Sequence, residues 1–193
     1  MFQNIGVKPK TDAPIRSLQI GLVGMAAVGK TSIIRKFLDP TKQITTTSGM
    51  TTIGVDFYTY YLTFMDAPIK VKIYDTAGQE RFGPLTTNYL KNLDGVILVF
   101  SFDSPDSLKQ TCTWRKHLYE TKEIPYTLVG NKCDLPGKDE LLSECRKTQS
   151  DLQCSYSECS ALTGEGIQNS ILSQIYECLK PVENFVMKFK EEM

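Results

Sequence analysis

The fold is decided by the stretch Gly24–Thr31, which reads Gly-Met-Ala-Ala-Val-Gly-Lys-Thr and fits the spacing Gly-x4-Gly-Lys-Ser/Thr. An apolar run, Leu18–Val23, precedes this stretch, and a helix-like segment, Ser32–Leu38, follows it. A strand, a glycine-containing loop and a helix in this order typically bind a polyphosphate, because backbone N–H groups and the positive end of the helix dipole face the anion. We therefore predict a phosphate-binding loop here in preference to an ordinary surface turn.

The chemistry of the loop assigns roles to its side chains. Lys30 can reach the β- and γ-phosphates of a nucleotide, which makes it a candidate catalytic residue, and the Thr31 hydroxyl can bind Mg²⁺. We expect the other nucleotide contacts of this segment to come from Gly24, Ala26, Ala27, Val28, Gly29 and Ser32.

Composition narrows the class of protein. The chain has 193 residues, with Lys+Arg and Asp+Glu balanced at 22 each, so it shows no basic patch suited to nucleic acid. It has neither an apolar run long enough to span a membrane nor a secretory signal. The six cysteines show no Cys-x-x-Cys spacing and there is one histidine, which makes a zinc site unlikely and favours reduced cysteines in a cytoplasmic protein.

Hydrophobic periodicity alternates between strand and helix patterns. Two short runs, Gly95–Phe100 and Tyr126–Gly130, resemble strands covered on both faces, as does Leu18–Val23. The other strands are expected at 55–64, 69–74 and 153–159, and the helices at 30–38, 82–92, 105–121, 138–150 and 166–179. The sequence thus predicts an α/β domain with a six-stranded, mostly parallel sheet, one antiparallel strand from a hairpin, and five flanking helices.

These elements set the domain boundaries. We expect a flexible N-terminal extension over residues 1–16, a single domain over 17–180, and a short amphipathic tail over 181–193, with no internal repeat and no second domain.

The segment Asn131-Lys132-Cys133-Asp134 directly follows a predicted strand, so it lies at the same sheet edge as the phosphate loop. The Asp134 carboxylate matches the paired N1–H and N2–H donors of guanine, which adenine lacks, and such a site rejects the wrong base strongly. The Lys132 stem is expected to lie against the base, and Asn131 to tie the segment to the phosphate loop.

A third motif, Asp75-Thr76-Ala77-Gly78-Gln79-Glu80, ends another predicted strand. Asp75 is placed to hold Mg²⁺ through water, and Gly78 allows its N–H to approach a γ-phosphate closely. Gln79 both donates and accepts hydrogen bonds, so it suits the orientation of an attacking water and is the second catalytic candidate.

Together these segments resemble the nucleotide motifs of the Ras superfamily, and Thr52–Phe57 and Asp75–Phe82 are most similar to the Rab family. The resemblance implies a P-loop G domain that switches between GTP and GDP with Mg²⁺. It implies that Thr52 binds Mg²⁺ and senses the γ-phosphate, and that Ser160, Ala161 and Leu162 form the guanine loop. The implied partners are GTP, GDP, effectors, an exchange factor and an activating protein, with no nucleic acid.

The resemblance also implies an effector surface around the aromatic trio Phe57, Tyr74 and Tyr89, with Ile53 and Phe82 beside it. Tyrosine occupies position 74 where Rab proteins usually have tryptophan. Ordinary packing of aromatics on a half-buried sheet is the alternative, and the sequence leaves both open.

The chain departs from the family pattern in the phosphate loop and the switch. Ala26 and Ala27 stand where related proteins have glycine or a small polar residue, and displacement of reacting groups by about 1 Å can cost roughly a hundredfold in rate. We therefore expect slow hydrolysis.

The segment Asp39–Thr51 is longer than usual in this family and has no aromatic residue that could cover the base. Only Ile44 could cover the base in part, so we expect fast nucleotide release.

Two further departures concern Leu162, which replaces a common lysine, and the C-terminal tail. No cysteine follows Cys178 to accept a prenyl group, so membrane contact is left open. The apolar stripe Val182, Phe185, Val186 and Phe189 predicts a short helix that packs on its own domain or meets a partner or membrane.

The sequence therefore predicts a monomeric Rab-type GTPase in the cytoplasm, peripheral on organelle membranes where it is attached. The alternative is a divergent G domain that acts as a nucleotide-bound adaptor with little or no hydrolysis. A P-loop kinase is a more distant alternative, because kinases do not need the Asn-Lys-x-Asp motif.

Overall fold

The apolar runs of the sequence become the strands of one twisted sheet. The computed structural model describes residues 2–4, 9, 15–44, 55–65, 67–76, 91–119, 123–136 and 138–191, with only the backbone described for 2–4, 117–119 and 182–191. The strands are β1 Phe2–Asn4, β2 Arg16–Val23, β3 Val55–Phe64, β4 Ala67–Thr76, β5 Gly95–Ser101, β6 Tyr126–Asn131 and β7 Ser155–Glu158. The helices within the described residues are α1 Lys30–Leu38, α2 Pro105–Tyr119, α3 Lys138–Leu152 and α4 Ile167–Glu191.

The sheet order is β1-β3-β4-β2-β5-β6-β7. Only β3 runs against its neighbours, and it pairs with β4 through a hairpin in which Phe64 faces Ala67. The mostly parallel sheet with one antiparallel strand is therefore confirmed. Four of the five expected helices are present. Residues 82–90 of the fifth, expected at 82–92, lie outside the described residues, and residues 91–92 form a turn.

A seventh strand, β1, was not expected, because the sequence analysis assigned residues 1–16 to a flexible extension. Its pairing with β3 runs from Phe2 opposite Phe64 to Asn4 opposite Leu62. The physical reason is the open edge of β3, whose unpaired backbone groups accept another strand. Three residues are too few to show a hydrophobic period, so nothing in the sequence indicates this strand.

Two apolar cores lie on the two faces of the sheet. On one face, α1 and α4 cover the sheet, and Ile33, Phe37 and Ile171 pack against residues of β2 and β4. On the other face, α2 and α3 share a second apolar core with β5 and β6, and Trp114 lies there with 2% of its surface exposed. Every residue of β5 is buried, which explains why its sequence is an unbroken apolar run.

Helix α4 is longer than the sequence indicated. The sequence predicted a helix that ends near residue 179 and a separate short helix after Pro181, but the backbone stays helical through Pro181 to Glu191. Proline removes one intrahelical hydrogen bond and usually kinks or ends a helix, yet continuation is possible where neighbouring turns keep their own bonds. No helix in the described parts of the chain is both long and apolar enough to cross a membrane.

The six cysteines are free thiols and differ in exposure. Cys145 and Cys159 are buried, Cys112 is exposed, and the others are half-buried.

Candidate nucleotide and magnesium site

The loops that carry the predicted motifs all follow the carboxyl ends of parallel strands. The phosphate loop follows β2, Asp75 lies near the end of β4, Asn131 ends β6, and Ser160 comes shortly after β7. In open α/β sheets this is the edge at which ligands bind. The fold therefore brings these motifs, which are far apart in sequence, to one edge of the sheet.

The phosphate loop has glycine at both ends, where a side chain would not fit. A Cβ at Gly24 would collide with the carbonyl oxygen of Val99, and one at Gly29 would collide with the side-chain nitrogen of Asn131. Gly29 caps α1 with φ 95° and without a side-chain hydrogen bond, so it leaves the first N–H groups of the helix available to an anion.

Ala27 lies in the left-handed region with φ 63°, and both Ala26 and Ala27 are exposed. This region costs a residue with a Cβ about 1 to 2 kcal/mol relative to ordinary backbone, whereas glycine adopts it freely. The structure thus shows a strained turn at the position where related loops carry glycine.

Lys30 begins α1 and is 5% exposed. Its ammonium donates hydrogen bonds to the carbonyl oxygens of Gly24 and Met25, each at 2.8 Å. Burial lowers the pKa of Lys30 to about 8, and the nearby carboxylate of Asp75 opposes that shift. A phosphate group would give this buried ammonium the counter-charge that the loop carbonyls supply only in part.

Thr31 and Asp75 form a pair of candidate oxygen ligands for a metal ion. The Thr31 hydroxyl donates to Asp75 Oδ2 at 2.5 Å, while Asp75 Oδ1 is buried and has no hydrogen-bond partner among the described residues. Burial raises the pKa of the Asp75 carboxyl, and the hydrogen bond from Thr31 and the charge of Lys30 oppose that rise. A buried carboxylate oxygen without a partner beside a hydroxyl fits a hard cation such as Mg²⁺.

Asn131 joins the phosphate loop to the base loop, which is the segment 160–162 that is expected to bind the guanine base. Its side-chain N–H donates to the carbonyl oxygen of Val28 at 2.7 Å, and its side-chain oxygen accepts the backbone N–H of Ala161 at 3.1 Å. Both bonds are buried. The predicted tie between Asn131 and the phosphate loop is therefore confirmed.

The rest of the base loop is arranged around Ser160. Its buried hydroxyl accepts the N–H of Thr163 at 3.1 Å, while Leu162 is 49% exposed and Asp134 is exposed. Leu162 on this loop and Asp134 on the segment after β6 therefore both lie at the surface, where a base can reach them.

Two residues that the sequence analysis missed contact this region. The backbone N–H of Phe102 donates to the carbonyl oxygen of Asn131 at 3.0 Å, and the Lys132 ammonium lies 2.7 Å from the Asp103 carboxylate. Asp103 lies two residues after the end of β5, at the same sheet edge as the motifs, and that position is the signal that could have revealed it.

The two predicted effector residues within the described part of the chain are paired across strands. Phe57 of β3 faces Tyr74 of β4, with ring centroids 6.3 Å apart, and Phe57 is 64% exposed. The Tyr74 hydroxyl donates to the side-chain oxygen of Gln19 on β2 at 2.8 Å. This bond fixes the tyrosine ring on the sheet.

The start of the long switch segment forms a local turn. Asp39 accepts the backbone N–H and the hydroxyl of Thr41, and Lys36 donates to the carbonyl oxygen of Lys42 at 3.0 Å. Ile44 is half-buried.

Several predicted site residues lie outside the described residues: Thr52, Ile53, Gly78, Gln79, Phe82 and Tyr89.

One edge of the mostly parallel sheet thus carries the phosphate loop with its buried lysine, the candidate metal ligands and the loop expected to bind the base. This arrangement defines a P-loop nucleotide-binding protein. A family model described as the Ras family matches residues 19–180, and the chain belongs to that family. Within it the chain is a Rab-like small GTPase.

Three relatives illustrate this similarity. The chain is 33% identical over 161 residues to a Ras-related protein Rab-18 of Caenorhabditis briggsae, which covers 82% of this chain and 78% of the relative. It is 36% identical over 157 residues to a Ras-related protein Rab-18 of Lymnaea stagnalis, covering 80% and 76%. It is 32% identical over 155 residues to the GTP-binding protein YPT1 of Saccharomyces cerevisiae, covering 79% and 74%.

Proposed function

We propose that this GTPase binds GTP together with Mg²⁺, hydrolyses it slowly, and recruits effectors in vesicle or membrane traffic while GTP is bound. The observation that carries the proposal is the pair of buried hydrogen bonds through which Asn131 joins Val28 to Ala161. This connection fixes the distance between the phosphate loop and the base loop, so that one guanine nucleotide can reach both.

In this proposal the residues divide into three groups by chemistry. Lys30 and the α1 N-terminus neutralise phosphate charge, and Asp134 accepts the two guanine donors. Thr31, Thr52 and Asp75 would hold Mg²⁺, with Asp75 acting through water. The metal would neutralise developing charge on the phosphates, and Gln79 would orient the attacking water.

The proposed regulators follow from the class of protein. Effectors, an exchange factor and an activating protein would bind around residues 52–57 and 76–92. The exposure of Phe57 supports docking over packing, because its contact with Tyr74 leaves 64% of its surface open to solvent. We place the working protein in the cytoplasm and at the surface of organelle membranes.

The test of nucleotide choice is calorimetry on protein freed of nucleotide, with Mg²⁺ supplied. We expect GDP to bind at least a thousandfold more tightly than ADP, since adenine would leave the Asp134 carboxylate without the two guanine donors, and a mismatch of this kind is rejected by at least this order. Asp134→Ala should remove most of this preference, and Asp151→Ala, an exposed acidic residue on α3, serves as the matched control. Equal affinity for GDP and ADP in the unchanged protein would refute the proposal.

Single-turnover hydrolysis tests the reaction itself. We expect GTP to be hydrolysed slowly and the double variant Ala26→Gly/Ala27→Gly to be faster by about tenfold or more, because the extra methyl groups crowd the position of the water. Equal rates would contradict the proposed effect of the alanines. Retention of GTP without any hydrolysis in either protein would favour the nucleotide-bound adaptor instead.

A further inference from the structure

A backbone hydrogen bond connects the turn after β5 to the segment Asn131–Asp134. The N–H of Phe102 donates to the carbonyl oxygen of Asn131, and the N–H of Ser104 donates to the carbonyl oxygen of Ser101, both at 3.0 Å. The Ser107 hydroxyl, 1% exposed, accepts the N–H of Ser101 at 3.0 Å and donates to the carbonyl oxygen of Ser104 at 2.5 Å. The position of Asp103 is therefore set by a rigid turn rather than by a loose loop.

The Asp103 carboxylate meets the ammonium of Lys132 at 2.7 Å. Both side chains are accessible, with 31% of Lys132 and 42% of Asp103 exposed. Partial burial alone would raise the pKa of Asp103, but hydrogen bonds from Lys132 and Ser101 outweigh it and hold that pKa below its usual value. The carboxylate is thus charged at neutral pH, and the pair persists as an ion pair.

Both ends of the Lys132 side chain are held in place, one by the backbone and the other by the ion pair. The backbone of Lys132 has φ 64°, a left-handed conformation that the neighbouring loop bonds hold in place, and the ammonium is fixed by Asp103. A lysine stem otherwise loses up to about 2 kcal/mol of rotamer entropy when it is ordered. When the lysine stem is already ordered, it offers a flat ligand a preformed apolar surface. Binding is then stronger, because less side-chain entropy is lost when the ligand binds.

We propose that Asp103 is a positioning residue for guanine recognition: its carboxylate holds the Lys132 ammonium so that the lysine stem lies ready against the purine. This inference rests on the proposed function, in which Asn131–Asp134 binds guanine. Asp103 touches neither the base nor the phosphates in this proposal and acts through Lys132. When the base is seated, it excludes water from the pair, so the pair contributes more to the bound state than to the free state.

The experiment measures release of fluorescently labelled GDP from the full chain with Mg²⁺ present. Asp103→Ala should speed release about threefold to fivefold, the range expected for a partly exposed ion pair. Asp103→Asn should have an intermediate effect, because it keeps a hydrogen-bond acceptor and loses the charge. Asp106→Ala is the matched control, since Asp106 forms an exposed pair with Lys109 on α2 and should leave the rate unchanged.

Two readouts separate positioning from a general structural effect. In the background of Lys132→Met, the further change Asp103→Ala should alter release by less than about 1.5-fold, because the partner of the carboxylate is already absent. Raising NaCl from about 0.05 M to about 0.5 M should speed release more in the unchanged protein than in Asp103→Ala, because salt screens an accessible pair. Thermal midpoints of all variants check that each is folded.

The outcomes are distinct. Release from Asp103→Ala that is equal to or slower than that from Asp106→Ala overturns the inference, as does an undiminished effect of Asp103→Ala in the Lys132→Met background. A protein that binds GDP no better than ADP in the preceding calorimetry overturns the proposed function itself. Positive calorimetry with a negative release experiment therefore rejects the role of Asp103 alone.

Discussion

At the scale of single residues, the strained alanine of the phosphate loop gives the clearest mutational test. Ala27 has φ 63°, whereas Ala26 has no positive φ, so glycine relieves strain at one position and only loosens the unfolded chain at the other. Ala27→Gly should therefore be more stable than Ala26→Gly by about 1 to 2 kcal/mol in urea unfolding at one fixed nucleotide concentration. A smaller difference, or the opposite order, would show that Ala27 carries no strain.

The buried ammonium of Lys30 predicts a proton linked to nucleotide binding. Its pKa is about 8 in the free protein, and bound phosphates would keep it charged, so above that pH the free protein must take up a proton to bind. Uptake on binding GDP should rise from about a quarter of a proton near pH 7.5 to about three quarters near pH 8.5, and affinity should fall as the pH rises.

Calorimetry in buffers of different ionisation enthalpy measures this uptake directly. The phosphates of GDP are already fully ionised over this range, so they contribute little to the change. Uptake that stays flat across the interval would mean that Lys30 keeps its proton in the free protein.

At the scale of elements, the pairing of β1 with β3 can be tested by hydrogen exchange. Removing residues 1–4 should speed exchange in the peptide that carries Leu62–Phe64, because backbone N–H groups on the outer edge of β3 lose their acceptors. The paired segment of β4, residues 67–69, serves as the internal control because its hydrogen bonds run to β3 and β2. Unchanged exchange at Leu62–Phe64 would show that β1 does not pair in solution.

The elements that the sequence predicted well are those with one simple environment. β5 is buried along its whole length, so an apolar run identified it. The hairpin expected from strands at 55–64 and 69–74 corresponds to β3 and β4, whose residues alternate in burial over much of their length. β1 was missed because its pairing depends on the free edge of another strand, a property of the assembled sheet. The length of α4 was underestimated because local preference at Pro181 argues for an end, and local preference is a weak guide.

The same contrast holds within the candidate site. Asn131 and Lys30 were found from the sequence because their motifs have fixed spacing and a chemical reason. Asp103 belongs to no motif, and only the sheet brings it to Lys132 across 29 positions of sequence. The φ of Ala27 could not be inferred from residue type, since alanine usually avoids that conformation.

At the scale of the whole molecule, ligand binding and folding should be coupled. The candidate site takes residues from the loops after β2, β4, β6 and β7, so unfolding of the sheet destroys it completely. GDP with Mg²⁺ at about a hundred times its dissociation constant should raise the free energy of unfolding by about 2.7 kcal/mol. The shift is measured as a rise in the thermal midpoint, and the same concentration of ADP should produce none.

The position of the single tryptophan determines what optical spectroscopy can detect. Trp114 of α2 is buried in the core that α2 and α3 share with the sheet, while Tyr74 of β4 is half-buried beside the exposed ring of Phe57. Intrinsic emission should therefore redden when the core opens to water and stay constant while guanine nucleotides exchange. An indole placed at position 74 would add a second fluorophore beside Phe57, at the surface where we propose that effectors bind.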